Sequence, residues 1–424
     1  MFKRLCYWLA MLGLALTSTA RADMTIEVVG VGSQQYPIAI VPFQFDAVLN
    51  QPVSSVVSSD LTSSGRFNVI TPRLFPAPYE PKQIDYAALS RLGAQAVLTG
   101  SVYQEGEQLR VRYWLMDVAS RKELVAFERA GSLASARRMG HQIADQVLKA
   151  LTGDNGMFDS RIAYVLKVGR MFELQIADAD GYGAQRILGP QLQPIMSPKW
   201  SPDGMRLAYV SFEQQNPVIY IHNLLTGQRQ TLANFWGSNT APAWAPDGKQ
   251  LAVVLSKAGG SQIFLISANG GEARQLTFTG DINTEPAFTP DGQSIVFTSN
   301  RGGSPQIYRM NLASGDTERL TIQGAYNASA KLSPDGRLMT YIARDNGNFN
   351  VSILDIETRQ STVVTESDSD DSPSFAPNGR LILYDTIIDQ RHVLAVVSSD
   401  GRVRQRLKAL AGQVRQPAWG PLLK

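Results

Sequence analysis

The sequence predicts an α/β N-terminal domain followed by an all-β six-bladed β-propeller, closed by the C-terminal strand pairing with the first blade. Three observations lead there. One short phrase recurs six times between residue 198 and the C-terminus, strand-like runs and turn dipeptides fill each interval, and the first third of the chain lacks the phrase.

The phrase is Pro-x-aromatic-Ser/Ala/Thr-Pro-Asp-Gly. It stands at Pro198–Gly204, Pro242–Gly248 and Pro286–Gly292, with degenerate copies at Ala330–Gly336 and Pro373–Gly379, and a last one at Pro417-Ala-Trp419-Gly-Pro421. The second prolines fall at 202, 246, 290, 334, 377 and 421, a period of 44 with one step of 43. A fixed period in that range marks a radially repeated or stacked architecture. Each Pro-Asp-Gly leads into a β-rich run such as Leu207–Val210, Leu251–Val254 or Leu381–Tyr384. A second run, a Gly-bearing turn and a short third run follow. Pro fixes φ at the turn corner, Asp accepts a local hydrogen bond and Gly supplies positive φ, so the step closes a tight hairpin. Four strands per repeat without helical periodicity make a propeller blade. The runs at 161–165, 173–177 and 185–188 have no phrase before them, and the final phrase has no strands after it. Pairing the two ends completes a sixth blade and removes two open edges.

Residues 1–22 read as a secretory signal: Lys3 and Arg4, twelve apolar-rich residues from Leu5 to Leu16, then Ala20-Arg21-Ala22 as a cleavage site. Twelve residues fall short of the ~20 that span a bilayer, so no direct membrane insertion is expected. The only cysteine, Cys6, lies in this leader, so the exported chain has no disulfide. Three of the 40 basic residues and none of the 37 acidic ones lie in the leader, leaving 37 against 37. That balance gives no electrostatic footprint for nucleic acid. The expected setting is the periplasm of a Gram-negative cell, after cleavage behind Ala22.

Residues 23–152 make the α/β domain. Ile38–Phe43, Phe67–Ile70, Ala96–Val102, Leu109–Val118 and Leu124–Arg129 read as strands. Val53–Leu61, Tyr86–Leu92 and Leu133–Leu151 read as helices, the last with Ala136, Met139, Ile143, Val147 and Leu151 on one stripe. The segment 23–32 alternates apolar and polar residues without an assured partner and is expected to be mobile. Residues 153–160 form a linker with a hinge at Gly153-Asp-Asn-Gly156, and 161–424 form the propeller.

The chain carries no Gly-x-Ser-x-Gly, no His-Glu-x-x-His and no P-loop. His141, His222 and His392 are scattered and read as structural or solvated, so neither catalytic residues, a metal site nor a cofactor is expected. Trp200, Trp244, Phe288, Phe375 and Trp419 recur once per blade and read as wedges between sheets. The loops entering each innermost strand share one face with the loops between second and third strands, while the Pro-Asp-Gly and Gly turns share the other. The first face carries the varied loops, 235–241, 280–285, 323–329 and 366–372, with Arg301, Arg344 and Arg391 in companion loops, and binding is expected there. Asp281, Glu285, Asp368, Asp370 and Asp371 make either an acidic mouth for a peptide or cation, or a solvated rim.

A leader, a small α/β domain and six phrases together resemble the TolB family of the Tol-Pal system. The segments 37–43, 161–165, 196–204 and 283–286 carry the match, which covers essentially the whole exported chain. The resemblance implies a non-enzymatic adaptor that docks the lipoprotein Pal on the propeller face and supports outer-membrane integrity during division. It places Pal contacts at Met196, Ser238, Ala241, Thr284 and Glu285, and Asp371 joins them on the same rim. It implies that the segment Asp23, Met24, Thr25, Ile26, Glu27, Val28 and Val29 contacts the inner-membrane protein TolA. A monomer is expected. The rival reading is a periplasmic propeller enzyme of lyase or lactonase type, which would need His or carboxylate groups converging in the channel.

Overall fold

The fold is that of a computed structural model, which describes residues 24–30, 35–74, 76–345, 347–409 and 411–423. The expected leader and Asp23 lie outside the described residues.

The N-terminal sheet runs in the order Phe67–Ile70, Tyr36–Ile40, Ala96–Glu105, Gln108–Asp117, Glu123–Ser132, parallel across its first three strands and antiparallel beyond. The helices Val53–Ser63 and Ala136–Thr152 cover one face with Val53, Val57, Leu61, Met139, Ile143 and Val147. The short helix Tyr86–Arg91 covers the other with Leu89, against Ala39, Val41 and Val97. Leu133 begins a 3-10 turn rather than the helix itself, which starts at Ala136.

Six antiparallel sheets follow, as expected. Blade 1 joins Gln413–Leu422 to Ser160–Val168, with Trp419 opposite Ile162, so the ring is closed by the chain's end. Blades 2 to 6 begin at the strands Ile195–Trp200, Asn239–Trp244, Asn283–Phe288, Asn327–Leu332 and Asp371–Phe375. In each Pro-Asp-Gly turn the Gly N–H donates to the carbonyl three residues back, at 2.8–2.9 Å. These turn glycines need their positive φ, +67° to +73°, and sit against the proline of the preceding blade. A Cβ added at Gly336 would meet Pro290 at 3.4 Å, and one at Gly204 would meet Pro421 at 3.3 Å. Pro421 is therefore retained without Asp-Gly because it supplies the last contact of that ring. The wedges do more than fill space: the Trp200 indole N–H donates to Ala418 O (3.0 Å) and that of Trp244 to Lys199 O (3.1 Å), stitching neighbouring blades.

Two expectations are corrected. The segment read as mobile has a partner, because Met24–Gly30 pairs antiparallel with Arg404–Ala409 and becomes a fifth strand of blade 6. It covers the six-residue outer strand Arg404–Ala409, which would otherwise be an open edge of blade 6. The linker is tied down at the expected hinge and beyond it: Arg380 binds Asp154 (2.7 Å), and the Asp145 carboxylate accepts the N–H groups of Met157 (2.7 Å), Phe158 (2.9 Å) and Asp159 (3.1 Å).

The two domains share one apolar cluster, in which Val53, Leu61 and Leu148 continue into Leu381, Val396 and Leu407. Gly65, at φ +68°, lets its helix end approach Val403 so closely that a Cβ there would overlap it at 2.4 Å. His141 is buried at this seam, with Nδ1 2.7 Å from Asp60 Oδ2 and Nε2 3.7 Å from Asp178 Oδ2. Arg137 binds Asp178 (3.0 Å) and Asp180 and lies 4.1 Å over the Tyr182 ring. Arg137 is thus already the cation between those carboxylates. Burial disfavours the charged imidazole, but Asp60 and Asp178 hold it, and its pKa rises well above 6.5. Burial pushes the Asp60 carboxyl up to about 6 against that pull.

Candidate functional site

The face opposite the Pro-Asp-Gly turns is built from one backbone irregularity repeated six times. Each innermost strand breaks register just before its phrase. The residue at each break is left-handed although it is not glycine: Ser197 (φ 52°), Ala241 (45°), Glu285 (54°), Ser329 (58°), Ser372 (52°) and Gln416 (50°). A bulge leaves one residue unpaired and re-aims its neighbours. Left-handed backbone costs a non-glycine residue roughly 1–2 kcal/mol, so six copies persist only because the ring over-determines them. In five of six copies a proline follows, restricting the bulge residue and donating no N–H.

Three of the bulge N–H groups, those of Ser329, Ser197 and Gln416, are met by neighbouring blades. Glu285 accepts from Ser329 N–H (2.8 Å), Ser329 Oγ (2.6 Å) and Thr298 Oγ1 (3.0 Å). Gln416 Oε1 accepts from Ser197 N–H (2.7 Å), and Asp385 Oδ2 from Gln416 N–H (2.9 Å). His392 Nδ1 lies 3.0 Å from the other oxygen of Asp385, which places that histidine as a brace behind the bulge.

A second set of residues, overlooked in the sequence, fixes the loops of this face. Asn239, Asn283 and Asn327 are buried two positions before the bulge. Asn283 Nδ2 donates to Gln262 Oε1 (3.0 Å) and Thr279 O (2.9 Å), and Thr277 Oγ1 donates to the same Gln262 oxygen (2.7 Å). Asn327, Gln306 and Thr321 repeat this arrangement in blade 5. The signal was present, since 239, 283 and 327 keep the period of 44, as do 262 and 306.

Of the expected contact residues, Ala241 and Glu285 line the channel mouth as bulge residues. Met196, Thr284 and Asp371 occupy the equivalent preceding position on three blades, Met196 and Asp371 exposed and Thr284 half-buried. Ser238 stands apart on the rim, its N–H donating to Ser256 Oγ (2.7 Å). The acidic mouth is only partly as expected. Asp281 and Asp368 are exposed. Asp370 is a buried anchor instead, accepting from Thr365 Oγ1 (2.5 Å), Ser367 and Val351 N–H (3.3 Å). Surrounding protein, then Asp385, then Glu285 push the Asp371 carboxyl up. Two cations that sequence reasoning did not single out, Lys199 and Lys331, reach into the channel beside these acids. Arg301 is anchored, donating to Ser299 Oγ (3.0 Å) and Asn283 Oδ1 (3.1 Å) over Phe297 and Tyr308.

Large apolar side chains crown the rim loops: Trp236 is 84% exposed, Phe278 75% and Ile322 75%, with Ile282 and Met196 nearer the mouth. Large apolar side chains exposed together on one face mark an interaction surface. Larger clefts lie at the domain seam, one of about 740 Å³ between Arg66, Asp154 and Arg380. Among the described residues no helix is long and apolar enough to cross a membrane.

Comparison with known proteins agrees with this architecture. The model for the TolB amino-terminal domain matches residues 24–124, and that for the TolB beta propeller domain matches residues 148–423. The Tol-Pal system protein TolB of Azoarcus sp. (strain BH72) is 62% identical, over 94% of this chain and 93% of that protein. Its counterpart from Methylobacillus flagellatus is 56% identical over 100% and 98%. The crystal structure of TolB from Acinetobacter baumannii superposes with a TM-score of 0.87 at 37% identity, covering 94% of this chain and all of that one.

Proposed function

This chain belongs to the TolB family, and on that premise we propose that it is a non-enzymatic periplasmic adaptor of the Tol-Pal system. The bulge-ringed face docks the lipoprotein Pal, the strand Met24–Gly30 is the segment that engages TolA, and together they support outer-membrane integrity during division. The chain acts as a monomer, exported by its leader and cleaved behind Ala22.

The observation that carries the reading is the face itself. Six left-handed bulge residues surround the channel mouth beneath exposed Trp236, Phe278 and Ile322, offering apolar contact around a polar centre. The propeller-enzyme reading finds less support. His141 lies at the domain seam, His222 pairs opposite Leu207 on the strand Val218–Asn223, His392 braces Asp385, and the carboxylates of Glu285 and Asp385 are taken up by bulge N–H groups.

Glu285→Ala and Thr284→Ile are each expected to weaken binding of the soluble Pal domain more than ten-fold by calorimetry. Wild-type affinity in both variants refutes the site. Removing residues 23–30 is expected to abolish capture by TolA, and retention of capture overturns that half of the reading.

A further inference from the structure

The channel holds a pair of cations that the docking reading does not use. Two positions after each bulge residue, the six innermost strands carry Lys199, Ala243, Ala287, Lys331, Ser374 and Ala418. Four of these are small. The two lysines stand three blades apart in a ring of six, so they face each other across the axis. Both line the cavity at the channel mouth, about 50 Å³ in volume, together with Ser197, Ala241, Glu285 and Ser329.

Neither ammonium has a carboxylate partner among the described residues, since no ion pair within 4.0 Å includes Lys199 or Lys331. Lys331 Nζ donates to Ala330 O (2.9 Å). Glu285, the nearest acid on the cavity wall, has both oxygens occupied by Ser329 and Thr298. Like charges confined by protein repel more strongly than in water. Burial, and then Lys331, lower the Lys199 pKa to about 7, with Glu285 and Asp371 pulling the other way. An anion between the two ammoniums relieves both costs at once. The volume suits a small group, since a single water needs roughly 10–15 Å³.

We propose that the channel mouth is an anion site, in which one carboxylate or compact oxyanion is held between Lys199 and Lys331. The site stands on the channel alone. Its natural occupant rests on the docking reading, by which an acidic side chain of the docked protein enters the mouth.

The test uses the full exported chain at pH 6, with inorganic phosphate titrated against chloride at matched ionic strength. A saturable rise in Tm is expected for the wild type, with at least ten-fold weaker affinity in Lys199→Met and Lys331→Met and no rise in the double variant. Lys331→Arg is expected to keep the rise, which separates loss of charge from loss of fold. Equal rises in wild type and double variant, or none in the wild type, overturn the site. In a second arm, saturating phosphate is expected to weaken binding of the Pal domain ten-fold in the wild type and not in the double variant. Phosphate-insensitive binding with the Tm rise intact overturns the docked carboxylate as occupant and leaves free oxyanions. A chain that shows the phosphate rise but no Pal binding sinks the docking reading and not the site.

Discussion

The channel mouth and the domain seam are both polar, and they are built in opposite ways. At the mouth each blade contributes one copy of the same device, a left-handed residue before the phrase, and three of the bulge N–H groups are met by Glu285, Gln416 and Asp385. At the seam nothing repeats: Asp60, His141, Arg137, Asp178 and Asp180 each occur once, and most of them are screened from water. A repeated device spreads its cost over six copies and tolerates variation in any one. A unique buried network concentrates the cost in a few charges, so losing one member is felt by the whole molecule.

The largest expected effect follows at the seam. Asp60→Ala leaves His141 buried without its 2.7 Å partner and is expected to cost about 3–5 kcal/mol, read by denaturant unfolding. A cost below about 1 kcal/mol would erase the contrast between the two regions.

Next comes the bulge ring. Gln416→Ala removes the acceptor of Ser197 N–H, and about 1–3 kcal/mol is expected from that unsatisfied group. Binding of Pal is expected to fall along with stability, whereas Asp60→Ala should change stability and leave Pal affinity near wild type. Equal loss of affinity in both variants would join the two regions into one unit. A smaller effect, roughly 1–2 kcal/mol, is expected for Ala241→Val, because a β-branched residue is poorly accommodated at φ 45°. Ala241→Gly should be neutral to stabilising by the same measurement.

The smallest effect sharpens the comparison by its sign. His141 has a raised pKa, so its contribution is complete below 6.5 and is lost as pH climbs through the raised value. Lys199 has a lowered pKa, so its penalty is complete below about 7 and is relieved as pH rises toward 10.5. Lys199 is only partly screened from channel water, which makes its slope shallow. Thermal unfolding between pH 6 and pH 10 should therefore show Lys199→Met most stabilised relative to wild type at the acid end. His141→Gln should fall furthest behind wild type there too, and slopes of the same sign in the two differences would contradict the assignment.

The blade count, the closure by Trp419 beside Ile162, the Pro-Asp-Gly turns and the stripe Ala136, Met139, Ile143, Val147 were legible in the sequence. Each rests on local chemistry repeated at a fixed spacing: Pro and Gly dictate φ, and alternation dictates which face is buried. The face that bears the bulges was legible for the same reason, as the side opposite the tight turns. Only the tertiary structure decided the rest. That Met24–Gly30 pairs with Arg404–Ala409 depends on which sheet edge the folded N-terminal domain brings within reach, and backbone pairing leaves little mark on side chains. That Asp370 is a buried anchor while Asp371 is exposed depends on which way the start of the strand faces, since neighbouring side chains alternate and identical residue types then part company. That Lys199 meets Lys331 depends on the ring closing with six blades, which sets residues 132 positions apart opposite each other. Repetition writes short-range geometry into a sequence, while charge pairing, depth and edge exposure exist only once the ring has closed and water has been excluded.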